Sequence, residues 1–188
     1  YQGVELFAPG DRFVHAVPFN FIASYIALIY GLYRGCIDYH ILSFSTVKTP
    51  VALMKYLLTK RISVFFLTPT FARKFVGKTG PFLKKMVVGT EPADHFYLKG
   101  VENYNIYGQC ESGLLVTIFA IDREYDICPV GKPQFELKYR VVDENGSDVV
   151  DGEIGELVVE TPYTRGYINL PEESAKAFRD GFYYTSDL

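Results

Sequence analysis

Five consecutive residues, Tyr107-Gly108-Gln109-Cys110-Glu111, place a permissive backbone and a carboxylate just past a strand-like run. Gly108 permits close approach of a flat or phosphorylated ligand, and the oxygens of Glu111 suit a hard cation such as Mg²⁺. A solvent-facing turn with an incidental glutamate satisfies the same pattern. Cys110 is a candidate nucleophile with no histidine near it in sequence, although His15, His40 or His95 could supply a base in space. A buried, inert thiol is the competing reading.

Three further groups are candidates. Gly89-Thr90-Glu91 is a second polar strand end, and Thr164-Arg165-Gly166-Tyr167 sets a guanidinium beside a glycine. Asp187 follows Thr185 and Ser186 at a strand end, where a carboxylate can accept two hydrogen bonds from a ribose diol. His15, in an apolar strand just ahead of Pro18, is the histidine best placed to face a ligand. Taken singly, each signal is weak.

The chain that must position these groups has 188 residues, 48% hydrophobic and 22% charged, with 15 Tyr and 15 Phe, a composition that folds around a core. A formal charge of -3, with basic residues no more clustered than Lys60-Arg61 and Lys84-Lys85, excludes a nucleic-acid backbone as partner. Cys36, Cys110 and Cys128 are too widely spaced for a zinc site or a disulfide framework, and read as free thiols in a reducing, cytoplasmic setting. The apolar run from Pro18 to Leu32 falls short of the roughly 20 residues that cross a bilayer. It reads as a buried helix rather than a membrane segment.

Strands are expected at Phe13 to Val17, Cys36 to Leu42, Ile62 to Leu67, Lys85 to Val88 and Tyr104 to Tyr107. Between them lie helices over Ile22 to Tyr33, apolar on nearly all sides and so packed deep between layers, and over Pro50 to Thr59, with a short one from Pro69 to near Gly77. This alternation predicts an α/β fold, a mostly parallel sheet flanked by helices over residues 1–126. Ligands of such sheets gather beyond the carboxyl ends of the strands. A small antiparallel β-rich subdomain follows over 127–165, from Leu137 to Val142, Val149-Val150 and Glu156 to Glu160, with a tight turn at Asp143 to Gly146. Residues 166–188 supply a helix from Pro171 to Phe178 and a strand, Phe182 to Thr185, leading to Asp187.

At these positions the chain resembles the adenylate-forming superfamily: acyl-CoA synthetases, aryl-acid ligases, luciferases and the adenylation domains of nonribosomal peptide synthetases. Tyr107 to Glu111 resembles its Y-G-x-T-E motif. Gly155-Glu156-Leu157 with Arg165-Gly166-Tyr167-Ile168-Asn169 resembles G-E-L followed by A-R-G-Y-x-N, and Tyr184 to Leu188 resembles Y-R-T-G-D-L. Order and spacing agree along nearly the whole chain, and Asp11 to Pro18, Phe65 to Thr70 and Val88 to Glu91 carry weaker likenesses.

The resemblance implies that Gly89, Thr90, Glu91, Asn105, Tyr107, Gly108 and Cys110 border ATP or AMP and the acyl-adenylate, with Tyr107 stacking on the base. It implies that Glu111 is the catalytic residue holding Mg²⁺, and that Asp187 binds the ribose. Cys110 stands where threonine is usual, which puts in question the hydroxyl contact to phosphate normally made there; Thr90 and Ser186 stand where glycine is usual, and Ser186 leaves its loop less free. The acid pocket would draw on Asn20, Phe21, Ile22, Ile26, Phe66, Met86, Val88, Ile106 and Leu114. No Asp lies between Phe19 and Arg34 to pair with a substrate ammonium, which an apolar pocket would bury at high cost. A fatty, aryl or other neutral-tailed carboxylic acid is therefore expected.

The family's phosphate-binding loop and its lysine-bearing C-terminal domain have no counterpart in these residues, and the chain stops on Asp187-Leu188. The expectation is a central fragment, itself inactive, of a ligase that passes its acyl group to coenzyme A or to the phosphopantetheine of an acyl-carrier protein. Exposed apolar surface and a frayed Asp187 are expected with it. The alternative is a noncatalytic, divergent module that senses a ligand or a protein partner, for which Thr90, Cys110 and Ser186 are the motive.

Overall fold

Short runs of β-branched and aromatic residues, each followed by a segment of helical periodicity, build the larger sheet of the chain. The computed structural model describes all residues except 1–4, 19, 34–36, 76, 79, 114, 135 and 163, and the side chains of all of these except His15, Ile26, Ile37 and Phe44. The elements are β1 (Asp11–His15), α1 (Ile22–Tyr33), β2 (Ile37–His40), α2 (Phe44–Lys48), α3 (Pro50–Thr59), β3 (Val64–Leu67), α4 (Pro69–Ala72, continued by a 3-10 turn Arg73–Phe75), β4 (Lys85–Gly89), β5 (Glu102–Tyr107), β6 (Thr117–Ile121) and β7 (Lys132–Pro133). They are followed by β8 (Tyr139–Val142), β9 (Glu156–Glu160), α5 (Pro171–Ala177), β10 (Phe178–Arg179) and β11 (Phe182–Tyr184).

The first sheet has the order β2-β1-β3-β4-β5-β6-β7, with β2 through β5 parallel and β6 antiparallel to β5. The second, β10-β11-β9-β8, is antiparallel throughout. The expected fold class is thus the observed one: an α/β core with a mostly parallel sheet, and a small antiparallel β-rich part. By compactness the chain divides into residues 1–107 with 117–132, and residues 108–116 with 133–188.

Helices α1 and α3 have the bounds expected from the sequence. Pro50 opens α3 at a position where its missing N–H costs nothing, and Ser43 caps α2 by accepting from the Thr46 amide at 3.3 Å. Three local readings change. The segment Val149-Val150 is not a strand: Asp148 makes one isolated bridge to Val142, because Asp143 Oδ1 accepts from the amides of Asn145 and Ser147 and closes the chain into a turn. Phe178 leaves the last helix and pairs with Tyr183 instead. Antiparallel β6 had no place in the expected alternation.

Helix α1 also differs from expectation. Ser24 and Ala27 are buried, yet Ile29 is 66% and Tyr33 82% exposed. Apolar residues all round a helix show no stripe, so periodicity could not tell which face packs. Its neighbours settle the side of the sheet. Tyr39 donates to the Ser24 carbonyl at 3.3 Å, Tyr39 is the register partner of Phe13, and Phe7 packs on both Phe13 and Tyr30. The opposite face carries Val14, Phe65, Leu67, Met86 and Val88, which form the apolar core with Leu53 and Leu57 of α3 and Phe75.

Candidate functional site

The candidate residues fall in both compact units, and each group has its own geometry. In residues 1–107 and 117–132, Gly89 ends β4 and is buried against β5. A Cβ there would lie 2.7 Å from the Ile106 carbonyl oxygen, a backbone atom that cannot swing aside, so only glycine permits this approach. Thr90 follows, exposed and with φ 72, the left-handed conformation that a glycine adopts without strain. Glu91 accepts from the Thr70 hydroxyl at 2.6 Å and the Thr70 amide at 3.2 Å, tying the loop after β4 to the start of α4. Asn105 is buried, with its amide on the Pro129 carbonyl at 3.0 Å, and Tyr107 is half-buried at the end of β5.

Strand register divides the expected acid pocket. Phe66 pairs with Val87, and Gly89 with Ile106, so Phe66, Val87, Gly89 and Ile106 share the face that α1 covers. Met86 and Val88 are fully buried on the other face, in the core beside α3. The structure therefore brings Phe66 and Ile106 to the side of Ile22, and does not bring Met86 or Val88 there. Val87, passed over in the sequence, stands where they were expected; only the pleat reveals it. Asn20 and Phe21 are exposed at the start of α1, while Leu114 and the side chain of Ile26 lie outside the described residues.

In residues 108–116 and 133–188, a turn holds the second group. Gly108 is exposed at its entry. Ser112 Oγ accepts from the Gln109 amide at 3.3 Å and donates to the Gln109 carbonyl at 2.7 Å, and Gly113 N–H closes on Cys110 O at 3.1 Å. The Glu111 carbonyl accepts from the hydroxyls of Thr161 at 3.1 Å and Thr164 at 2.5 Å. Its carboxylate Oε1 accepts from the Tyr167 phenol at 2.9 Å. Burial, and then this bond to Glu111, push the Tyr167 phenol above its usual range. Tyr167 is itself aimed by its neighbours: its amide donates to Ser174 Oγ at 2.7 Å, and a Cβ on Gly166 would lie 2.7 Å from the same oxygen. Arg165 and Cys110 are exposed, so Cys110 is not the buried thiol of the competing reading.

Asp187 is anchored rather than frayed. Leu157 N–H donates to the Asp187 carbonyl at 2.9 Å, the Asp187 amide donates to Thr185 Oγ1 at 3.1 Å, and the Ser186 amide donates to Glu156 Oε1 at 2.8 Å. Ser186 has φ 60, again a left-handed residue where glycine would rest unstrained. The side chain of Gln109 donates to Asp187 Oδ2 at 2.7 Å and to the Thr185 carbonyl at 3.2 Å, while its Oε1 accepts from Tyr183. Gln109 was not among the sequence candidates. Its signal there was only a long amide between two motif positions. Beside this cluster, Tyr167, Tyr183, Arg179 and Glu156 line an open cleft of about 580 Å³.

Among the described residues no three His, Cys, Asp or Glu side chains gather as a metal cage. A single carboxylate nonetheless suits Mg²⁺, which keeps water and phosphate oxygens in its octahedron.

The model of the AMP-binding enzyme family matches residues 1–168, and the chain belongs to that adenylate-forming family. It is 36% identical over 85 residues to the medium/long-chain-fatty-acid–CoA ligase FadD8 of Mycobacterium tuberculosis, covering 44% of this chain and 15% of that protein. It is 29% identical over 188 residues to nonribosomal peptide synthetase 7 of Aspergillus fumigatus, covering 94% of this chain and 8% of that one. The O-succinylbenzoate coenzyme A synthetase of Bacillus subtilis, solved in complex with AMP, shares the fold with a TM-score of 0.76 at 19% identity, over 96% of this chain and 38% of that chain. The chain spans well under half the length of each of these relatives. No helix among the described residues is long and apolar enough to cross a membrane.

Proposed function

We propose that these residues form part of the nucleotide and acid site of a carboxylic-acid-activating ligase. The observation that carries this reading is the pair of motif carboxylates, Glu111 and Asp187, each held by a defined donor: Tyr167 for Glu111 and Gln109 for Asp187. In this reading Asp187 would accept the ribose hydroxyls and Glu111 would supply one oxygen to Mg²⁺. When bound, Mg²⁺ neutralises charge on the phosphates of ATP.

In the reaction, a carboxylate oxygen of the acid forms a bond to the α-phosphorus of ATP, and the bond to the bridging oxygen breaks. Pyrophosphate leaves with the electron pair. A thiolate of coenzyme A or of a carrier-protein phosphopantetheine then attacks the acyl carbon, and AMP departs as the C–O bond breaks.

The acid is neutral-tailed: fatty or aryl. Phe66, Val87 and Ile106 on one sheet face offer no charge to a substrate ammonium, and the relative named for fatty acids is consistent with this choice. The 188 residues alone are expected to bind nucleotide with little turnover. Calorimetric titration with AMP and ATP, beside pyrophosphate exchange over a panel of fatty, aryl and amino acids, tests the assignment. Absence of nucleotide binding would remove it, and robust exchange by this chain would remove the expectation of low turnover. A noncatalytic ligand-sensing module is the second reading, favoured by the exposed thiol of Cys110 where the family carries a hydroxyl.

A further inference from the structure

We propose that Gln109 is a positioning residue that sets the carboxylate plane of Asp187 for a ribose diol, and that Tyr183 sets the amide of Gln109. This rests on the reading of Asp187 as the ribose acceptor. A primary amide can present either end to a neighbour, and a carboxylate needs the donor end. Tyr183 donates its phenol proton to Gln109 Oε1, which leaves Nε2 facing the other way. Nε2 then reaches two acceptors on either side of Ser186: the Thr185 carbonyl at 3.2 Å and Asp187 Oδ2 at 2.7 Å. The amide therefore straddles a residue whose φ of 60 is costly for serine, and holds the loop in that form.

The bond to Asp187 is charge-assisted, and it fixes one carboxylate oxygen. Tyr183 is 5% exposed and packs on Phe178, which in turn packs on Tyr167, so the ring whose phenol orients Gln109 is held by packing. No such device is legible in the motif, since Gln109 occupies its variable position.

The test compares affinities of the 188-residue chain for AMP and for 2′,3′-dideoxy-AMP, in wild type, Gln109→Met, Tyr183→Phe and Asp187→Asn. Wild type should prefer AMP, and Asp187→Asn should abolish the preference. Gln109→Met should cut the preference about tenfold, and Tyr183→Phe by a smaller factor. A merely structural role would weaken both nucleotides equally and leave the ratio unchanged. If Gln109→Met does not fold, Tyr183→Phe carries the measurement alone. A preference that Asp187→Asn abolishes but the other two variants retain overturns the role of Gln109 and leaves Asp187 as ribose acceptor. A wild type without preference, or one indifferent to Asp187→Asn, overturns both.

Discussion

Tyr167 and Glu111 lie 56 residues apart in sequence, and the phenol of the first donates to the carboxylate of the second at 2.9 Å. The chain thus joins two motifs through a hydrogen bond that neither shows alone. Burial and this bond raise the Tyr167 pKa, so the phenol keeps its proton to higher pH than a free tyrosine does.

Tyr167→Phe should weaken binding of Mg-ATP by about tenfold, since Glu111 loses the donor that fixes its orientation. Binding of metal-free ATP should change little. Calorimetric titrations with and without Mg²⁺ separate the two, and an equal loss in both would contradict the role given to Glu111.

Gly89→Ala should destabilise the fold by about 1–3 kcal/mol, because the new methyl meets the backbone oxygen of Ile106. Urea unfolding measures it. An unchanged midpoint would mean that β4 and β5 separate more readily than their register suggests.

Thr90→Gly and Ser186→Gly should each stabilise the chain, by about 1 kcal/mol or less, since both residues hold a left-handed backbone. Thr90, being β-branched, should give the larger gain. Thermal melts decide this. A lower melting temperature for Thr90→Gly would show that its side chain compensates for the strain.

Burial pushes the Tyr39 phenol up to about 12, and its hydroxyl donates to Ser24 O. In the unfolded chain tyrosine ionises near 10, so the neutral form is favoured by folding. Its contribution is complete below pH 10 and is lost as pH rises from 10 to 12. Denaturant melts across that window should show falling stability, and Tyr39→Phe should flatten the fall. A slope unchanged in the variant would assign the effect to other groups.

The bounds of α3 were legible in the sequence because apolar spacing and Pro50 are local signals, and those of α1 because an unbroken apolar run is one too. The residue types around Glu111 and Asp187 stand in a fixed order that can be read without reference to neighbours. Less local matters were not. Helix α1 looked buried because its apolar residues surround it, while only one side packs on the sheet. Met86 and Val88 looked like pocket residues because a strand read alone does not say which of its faces meets which helix.

Sequence by itself therefore determined the alternation of strand and helix, the order of the motifs and the chemical types available to them. Tertiary structure decided the partners: which sheet face carries Phe66, Val87 and Ile106, and that Gln109 reaches Asp187 while Tyr167 reaches Glu111. The reason is physical. Periodicity and turn chemistry act over a few residues, whereas strand register and hydrogen bonds spanning 78 and 56 residues exist only after the chain has closed on itself.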